Sequence, residues 1–194
     1  MVSTLKHGTV VVYDTEWTSW SEFAAHNWKQ PGRYPEIIQI GAVKLDVADD
    51  FREIAAFQCF VRPKHNPQLS DYIINLTGIT QELIDHEGVP FPDALADFVG
   101  FIGGNIEALF SFGRDGAIVH RNCDLMGIAF PEIFDRERDV RKALVEAGMI
   151  DESCRSCDLP THLSLPDTEL SHNALGDARS IATAIRHLRK QDLI

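Results

Sequence analysis

The chain has 194 residues, 44% hydrophobic and 24% charged, with a formal net charge of −11 from 18 basic and 29 acidic side chains. Its length and apolar content suit an ordinary globular protein with a proper core, read here as one domain spanning 1–194. The acidic balance argues against a protein that coats nucleic acid through a broad basic face, though not against an enzyme that grips a strand end.

The first apolar run, "VVVY" at 10–13, follows a single nearby lysine and is too short for a signal peptide or a membrane span, so a cytoplasmic protein is expected. Residues 9–13 read as a strand. Residues 37–46, "IIQIGAVKLD", and 53–62, "EIAAFQCFVR", read as a second and a third, joined as an antiparallel meander. Two short helical pieces flank "LTGIT" within 68–86. An amphipathic helix follows at 91–102, where Ala94, Leu95, Phe98, Val99 and Ile102 recur at helical spacing. "ALFSFG" at 108–113 is a fourth strand, 115–127 a helix, 132–140 a fifth strand, and a helix lies near 140–148. Residues 151–171, rich in Pro, Ser and Asp, read as a surface loop, and 173–190 as the last helix. This order of elements specifies an α/β domain with a mixed sheet of five strands and helices on both faces.

The cysteines fit a reducing compartment. Cys59 and Cys123 sit in apolar surroundings and read as core thiols. Cys154 and Cys157 form a lone C-x-x-C with only His162 close by, short of the ligands that structural zinc needs, so a polar loop with two reduced thiols is expected.

"VVVYDTEW" at 10–17 places Asp14 and Glu16 on one side of a buried strand, because strand side chains alternate. The D-x-E spacing recurs at Asp85/Glu87, Asp135/Glu137 and Asp167/Glu169, so it carries weight only where it continues a core strand. Two like charges there share a proton, meet a cation, or lie at a wet strand end. On a helical wheel of about 100° per residue, Asp177 falls within the apolar arc of Ala174, Ala178, Ile181, Ile185 and Leu188, with no Lys or Arg beside it. An ionised carboxylate aimed at a core is costly unless it is paired or bound to metal. His172 precedes that helix and reaches the same cleft. Asp115 follows the strand ending at Gly113, where an open α/β sheet collects ligand-binding groups; capping the next helix is the alternative.

Asp14, Glu16, Asp115, His172 and Asp177 occur in an order that resembles the DEDDh family of 3′–5′ exonucleases, with its ribonuclease H-like fold. The resemblance runs from "VVYDTE" through "EIIQIGAVKLD", "LTGIT" and "SFGRD" to "HNALGDA". "SFGRD" and "RDVRKAL" are most similar to the subgroup that trims small RNAs and histone messages, and to its bacterial relatives. Gly176 departs from the acid found in many members, which costs the helix about 1 kcal/mol. The resemblance implies two Mg2+ or Mn2+ ions held by Asp14, Glu16, Asp115 and Asp177, with His172 as proton acceptor. It also implies single-stranded 3′ ends as substrate, RNA before DNA, contacted by Thr15, Trp17, Leu76 and Arg114. Arg121 and Arg138 are further phosphate candidates. A DNA-trimming exonuclease and a non-catalytic binding module on the same fold are the competing readings.

Residues 17–34 form an insert holding all three tryptophans. Ser19 and Glu22 have capping-box spacing, and Trp20, Ala24 and Trp28 share one face of the expected short helix. Trp20 and Trp28 are expected to pack the insert onto its domain, Trp17 to stack on bases, and Lys29 and Arg33 to lie near phosphates.

Overall fold

Val10, Val11, Val12 and Tyr13 are all fully buried, so the strand they start needs cover on both faces. That strand, β1 (Thr9–Trp17), pairs antiparallel with β2 (Ile37–Asp46), which pairs antiparallel with β3 (Arg52–Arg62). The chain then runs through α1 (Asp71–Thr77), α2 (Gln81–Glu87), β4 (Val89–Pro90) and α3 (Phe91–Ile102). It crosses to β5 (Ala108–Ser111), parallel to β1, and continues through α4 (Asp115–Met126) to β6 (Glu137–Asp139), parallel to β5. Helices α5 (Val140–Glu146), α6 (Leu159–His162) and α7 (Ala174–Lys190) complete the fold. The sheet order is β4-β3-β2-β1-β5-β6. This computed structural model describes residues 5–22, 31–164 and 172–190.

The alternation of β1 divides the core. Val10 and Val12 join Val43, Leu45 and Phe110 under α5 and α7, where Ile181, Ile185 and Leu188 are fully buried. Each of those α7 side chains contributes roughly 1.5–3 kcal/mol by leaving water. Val11 and Tyr13 face the other way, against Leu95 and Phe98 of α3 and Val119 and Cys123 of α4. Helices α1 and α2 cover Ile38 at one end of the sheet. Ser70 caps α1 through its side chain, and "LTGIT" supplies Gly78, which ends α1 at φ 73°, and Thr80, which caps α2.

The structure extends and corrects the sequence reading at the strand ends. β1 does not stop at Tyr13, because β2 keeps pairing through Asp14↔Gly41 and Glu16↔Gln39. Among the described residues the sheet has six strands and not five: β4 has only two residues, too few for any periodic signal. The strand expected over 132–140 is three residues long, preceded by a 3-10 turn at Glu132–Arg136 that buries Phe134. Cys59 is only partly buried. The loop expected at 151–171 is not simply surface, since Cys154, Leu159 and Pro160 are buried and α6 packs beside α7. Of the Trp-rich insert, residues 23–30 lie outside the described residues, and with them Ala24, Trp28, Lys29 and the expected helix. Arg33 sits 4.9 Å above the Trp20 ring. The insert closes at its base, where the Thr18 hydroxyl donates to the Tyr34 carbonyl at 2.6 Å. No described helix is long and apolar enough to cross a membrane.

Candidate active site

Asp14 and Glu16 continue the Val10–Val12 face of β1, so they point toward α7. Opposite them on β2 are Gly41 and Gln39, which share that face. With no side chain at Gly41, the first turn of α7 descends onto β2: a Cβ there would meet the Leu175 nitrogen at 2.1 Å. The Gln39 side chain accepts from the Ala174 nitrogen at 3.0 Å and Asn173 Oδ1 from the Gly176 nitrogen at 3.3 Å, which satisfies the start of the helix. Asp177, 3% exposed, is thereby held beside Asp14 and Glu16. His172, with φ 62°, turns the chain into α7 and leaves its Nε2 3.9 Å from Cys157 Sγ. Donor atoms of Glu16, His172 and Asp177 lie within 4.8 Å of one another.

Asp115 is the first residue of α4, after Arg114 at the N-cap, whose side chain makes no cap bond. Asp115 Oδ1 accepts from the Thr15 nitrogen at 2.9 Å and from Thr15 Oγ1 at 2.6 Å. The Thr15 hydroxyl is thus engaged with a carboxylate, in a residue that also lines the cleft. The "FGRD" turn is tied down by Asp139, which accepts from the Gly113 nitrogen at 2.9 Å and the Arg141 nitrogen at 2.9 Å.

These elements enclose a cavity of about 430 Å³. Asp14, Glu16, Asp115, Asp177 and His172 all line it, as do Thr15, Trp17, Leu76 and Arg114. Arg121 and Arg138 do not. Two arginines that the sequence did not single out, Arg141 and Arg155, line the wall together with Ser153–Cys157. Arg155 makes a two-point contact with Asp158, at 2.8 and 3.1 Å.

Burial, and then the mutual repulsion of the acids, governs the electrostatics. Burial pushes Asp14 well above the usual carboxylate range, and the charges on Asp115, Asp177 and Glu16 add to it. Glu16 is raised in the same way, by burial and then by Asp177 and Asp115. Burial also lifts Asp115 and Asp177 from 3.8 to about 7; the Thr15 donors oppose it at Asp115, and the His172 backbone N–H and Arg155 at Asp177. His172 is lowered by burial and then by Arg155, so it is neutral at neutral pH. Among the described residues no Lys or Arg forms an ion pair with any of the four acids. Hard oxygen donors, buried together without a compensating cation, fit a divalent ion.

Beneath Asp115 lies a network with no pattern in the sequence. Glu137 accepts from Tyr13 Oη and, at 2.7 Å, from Ser111 Oγ. Its charge adds to the upward push on Asp115. Gly116 makes room for it: a Cβ there would lie 1.9 Å from Glu137 Oε2.

A mixed sheet with helices on both faces and an acidic cleft at the end of its central strand defines a ribonuclease H-like α/β protein. Residues 11–185 match the family model RNase_T, described as Exonuclease, and the chain belongs to that family. The chain is 26% identical over 192 residues to the 3′-5′ exonuclease Snipper of Drosophila melanogaster, covering 89% of this chain and 66% of that protein. It is 37% identical over 93 residues to ERI1 exoribonuclease 2 of Mus musculus, covering 48% of this chain and 12% of that protein. It thus spans just under two thirds of the first relative and a small part of the second. Among solved structures, the nuclease domain of 3′hExo, a DEDDh family member bound to rAMP, superposes with a TM-score of 0.81 at 24% identity, covering 96% of this chain and 93% of that one. The histone-message 3′-exonuclease solved on its stem-loop superposes at 0.83 and 23%, over 95% of this chain and 64% of that one.

Proposed function

We propose that the chain is a single exonuclease domain that hydrolyses phosphodiester bonds at the 3′ end of single-stranded nucleic acid, RNA in preference to DNA. The observation that carries this reading is the convergence of Asp14, Glu16, Asp115, Asp177 and His172 on one cavity from β1, α4 and the start of α7. The exoribonucleases among its relatives support the preference for RNA. Four unpaired cysteines support a reducing compartment, the cytoplasm.

Asp14, Glu16, Asp115 and Asp177 would hold two Mg2+ or Mn2+ ions, whose Lewis acidity supplies charge stabilisation for the attacking and leaving oxygens. Asp14, which feels the charges of Asp115, Asp177 and Glu16 alike, would help to hold both ions. His172, neutral and half-buried, accepts the proton of the attacking water at Nε2, the nitrogen beside Cys157. Arg114 and Arg141 line the same cavity as the acids and draw the phosphate backbone in locally, despite the net negative charge of the chain. Trp17 and Leu76 supply apolar contact for the terminal bases, and Thr15 keeps Asp115 turned toward the cleft.

The test is hydrolysis of 5′-labelled single-stranded RNA and DNA with Mg2+, with Mn2+ and with chelator. A ladder shortening from the 3′ end, faster on RNA and abolished by chelator, is the expected result. Internal cuts, or none under any condition, would overturn the reading.

A further inference from the structure

We infer that Gln39 is a positioning residue for the acids of the cleft: its Oε1 seats the start of α7, and its Nε2 donates to the Glu16 carboxylate when that acid holds a divalent ion. This role rests on the metal-dependent reading of the same cleft.

Gln39 is fully buried in the middle of the fold. Its Oε1 accepts from the Ala174 nitrogen at 3.0 Å. That bond fixes which way the amide points, because the reverse orientation would set Nε2 against another donor. Nε2 is then buried with no hydrogen-bond partner among the described residues. Few buried donors in native proteins stay unpaired, since each has given up its bonds to water. The Gln39 amide is therefore a donor that lacks an acceptor. It is not one of the residues that line the cavity, so its route to the chemistry runs through a neighbouring side chain.

The β1–β2 ladder identifies that neighbour. Gln39 is the direct partner of Glu16. Side chains opposite each other on antiparallel strands leave on the same face, with Cβ atoms about 4.5–5.5 Å apart. Asp115 is held by both Thr15 donors and Asp177 takes the His172 backbone N–H. At Glu16 no hydrogen bond among the described residues opposes burial. A donor without an acceptor thus lies across one rung from a buried acid without a donor. Asp14 is less well placed, because it faces Gly41, two residues further along β2. The amide is pinned by Ala174, so the flexible Glu16 side chain is the group that turns to complete the bond. One carboxylate oxygen then accepts from Nε2 and the other is left for the ion. Outer partners of this kind orient a ligating carboxylate and raise metal affinity. Through its two amide atoms, Gln39 ties Glu16 of β1 to the entrance of α7, the helix that carries Asp177.

The side-chain amide of Gln39 reports the bond directly. In 1H–15N spectra of the full chain without nucleic acid, its Nε2 proton pair is identified by its loss in Gln39→Met. Saturating Mg2+ should move one of the two protons downfield and slow its exchange with water. In Glu16→Ala the same Mg2+ should leave that proton where it was. A wild-type amide that does not respond, or one that responds equally in Glu16→Ala, overturns the role. Calorimetry supplies a second measurement. Gln39→Met should bind Mg2+ about tenfold to a hundredfold more weakly than wild type, and most of that loss should disappear in the Glu16→Ala background. An unchanged affinity, or an equal loss in both backgrounds, would leave Gln39 a support for α7 alone and overturn its role at Glu16. Should wild type bind no Mg2+ at all, the metal reading falls and this role with it. Should Mg2+ bind and the amide stay unmoved, only the role of Gln39 falls.

Discussion

A Cβ at Gly41 would lie 2.1 Å from the backbone nitrogen of Leu175, so α7 is seated on β2 at a point where only glycine fits. Gly41 is also the partner of Asp14 across the β1–β2 ladder. Close approach of that helix and the placing of Asp177 beside Asp14 are therefore one structural event.

Gly41→Ala should push the start of α7 off the sheet. The expected loss of stability is about 1–3 kcal/mol, the usual range for overpacking a tight contact. Metal affinity, followed as the rise in Tm on adding Mg2+, should fall with it. Unchanged melting and unchanged Mg2+ response would contradict the seating described here.

Asp14→Asn removes one ionisable carboxyl from a buried, mutually repelling set. In chelator the variant should melt at or above the wild-type temperature, because less unfavourable charge is buried. In Mg2+ it should gain little, and hydrolysis should disappear. A variant that melts well below wild type in chelator would show that Asp14 has a structural role instead.

The raised acids give a pH dependence of definite sign. Asp115 and Asp177 keep their protons up to about 7 in the folded chain, against 3.8 when exposed. Between those values the folded state binds more protons than the unfolded one, so the metal-free chain loses stability as pH rises through the window and levels off above it. Mg2+ binds the ionised set, so the Tm increase it produces should be larger at pH 8 than at pH 5. Thermal melts in chelator and in Mg2+ at both values check this; a larger increase at pH 5 would refute it.

Thr15→Val keeps the backbone N–H to Asp115 and deletes the hydroxyl bond of 2.6 Å. A hydrogen bond to a charged group is worth about 1.5–3 kcal/mol. Asp115 should then hold its proton more tightly, and Mg2+ affinity should fall roughly tenfold to a hundredfold, which is typical for lost outer-shell support. Mg2+ titration of activity at fixed pH measures it.

His172→Gln should retain the Mg2+-induced gain in Tm while slowing hydrolysis by about 10²–10⁴, the range for a lost general base. Wild-type rate should fall on the acid side below the ordinary histidine value, because burial lowers His172. A variant whose acid limb is unchanged would remove His172 from the proton transfer.

Much of this architecture was legible in the chain. The meander, the helix at 91–102 and the amphipathic final helix carry strong periodicity, and each formed where expected. So did the inward face of Asp177, because one Asp amid Ala, Ile and Leu on a helical wheel has nowhere else to point. The short parallel strands β4 and β6 were not readable or only partly so: two or three residues hold no period, and their partners are distant in sequence. Glu137, Arg141 and Arg155 were missed for a related reason. Each lies in an unremarkable charged stretch and gains meaning only from what the fold sets beside it.

The sequence by itself determined which residues are chemically able to act, because a carboxylate on a buried strand or on the apolar arc of a helix is a local anomaly visible without coordinates. Tertiary structure alone decided that these anomalies share one cavity, that Thr15 turns Asp115 toward it, and that Cys157 sits against His172. Those are contacts across long loops, set by how α4 and α7 dock on the sheet, and local periodicity carries no information about such distances.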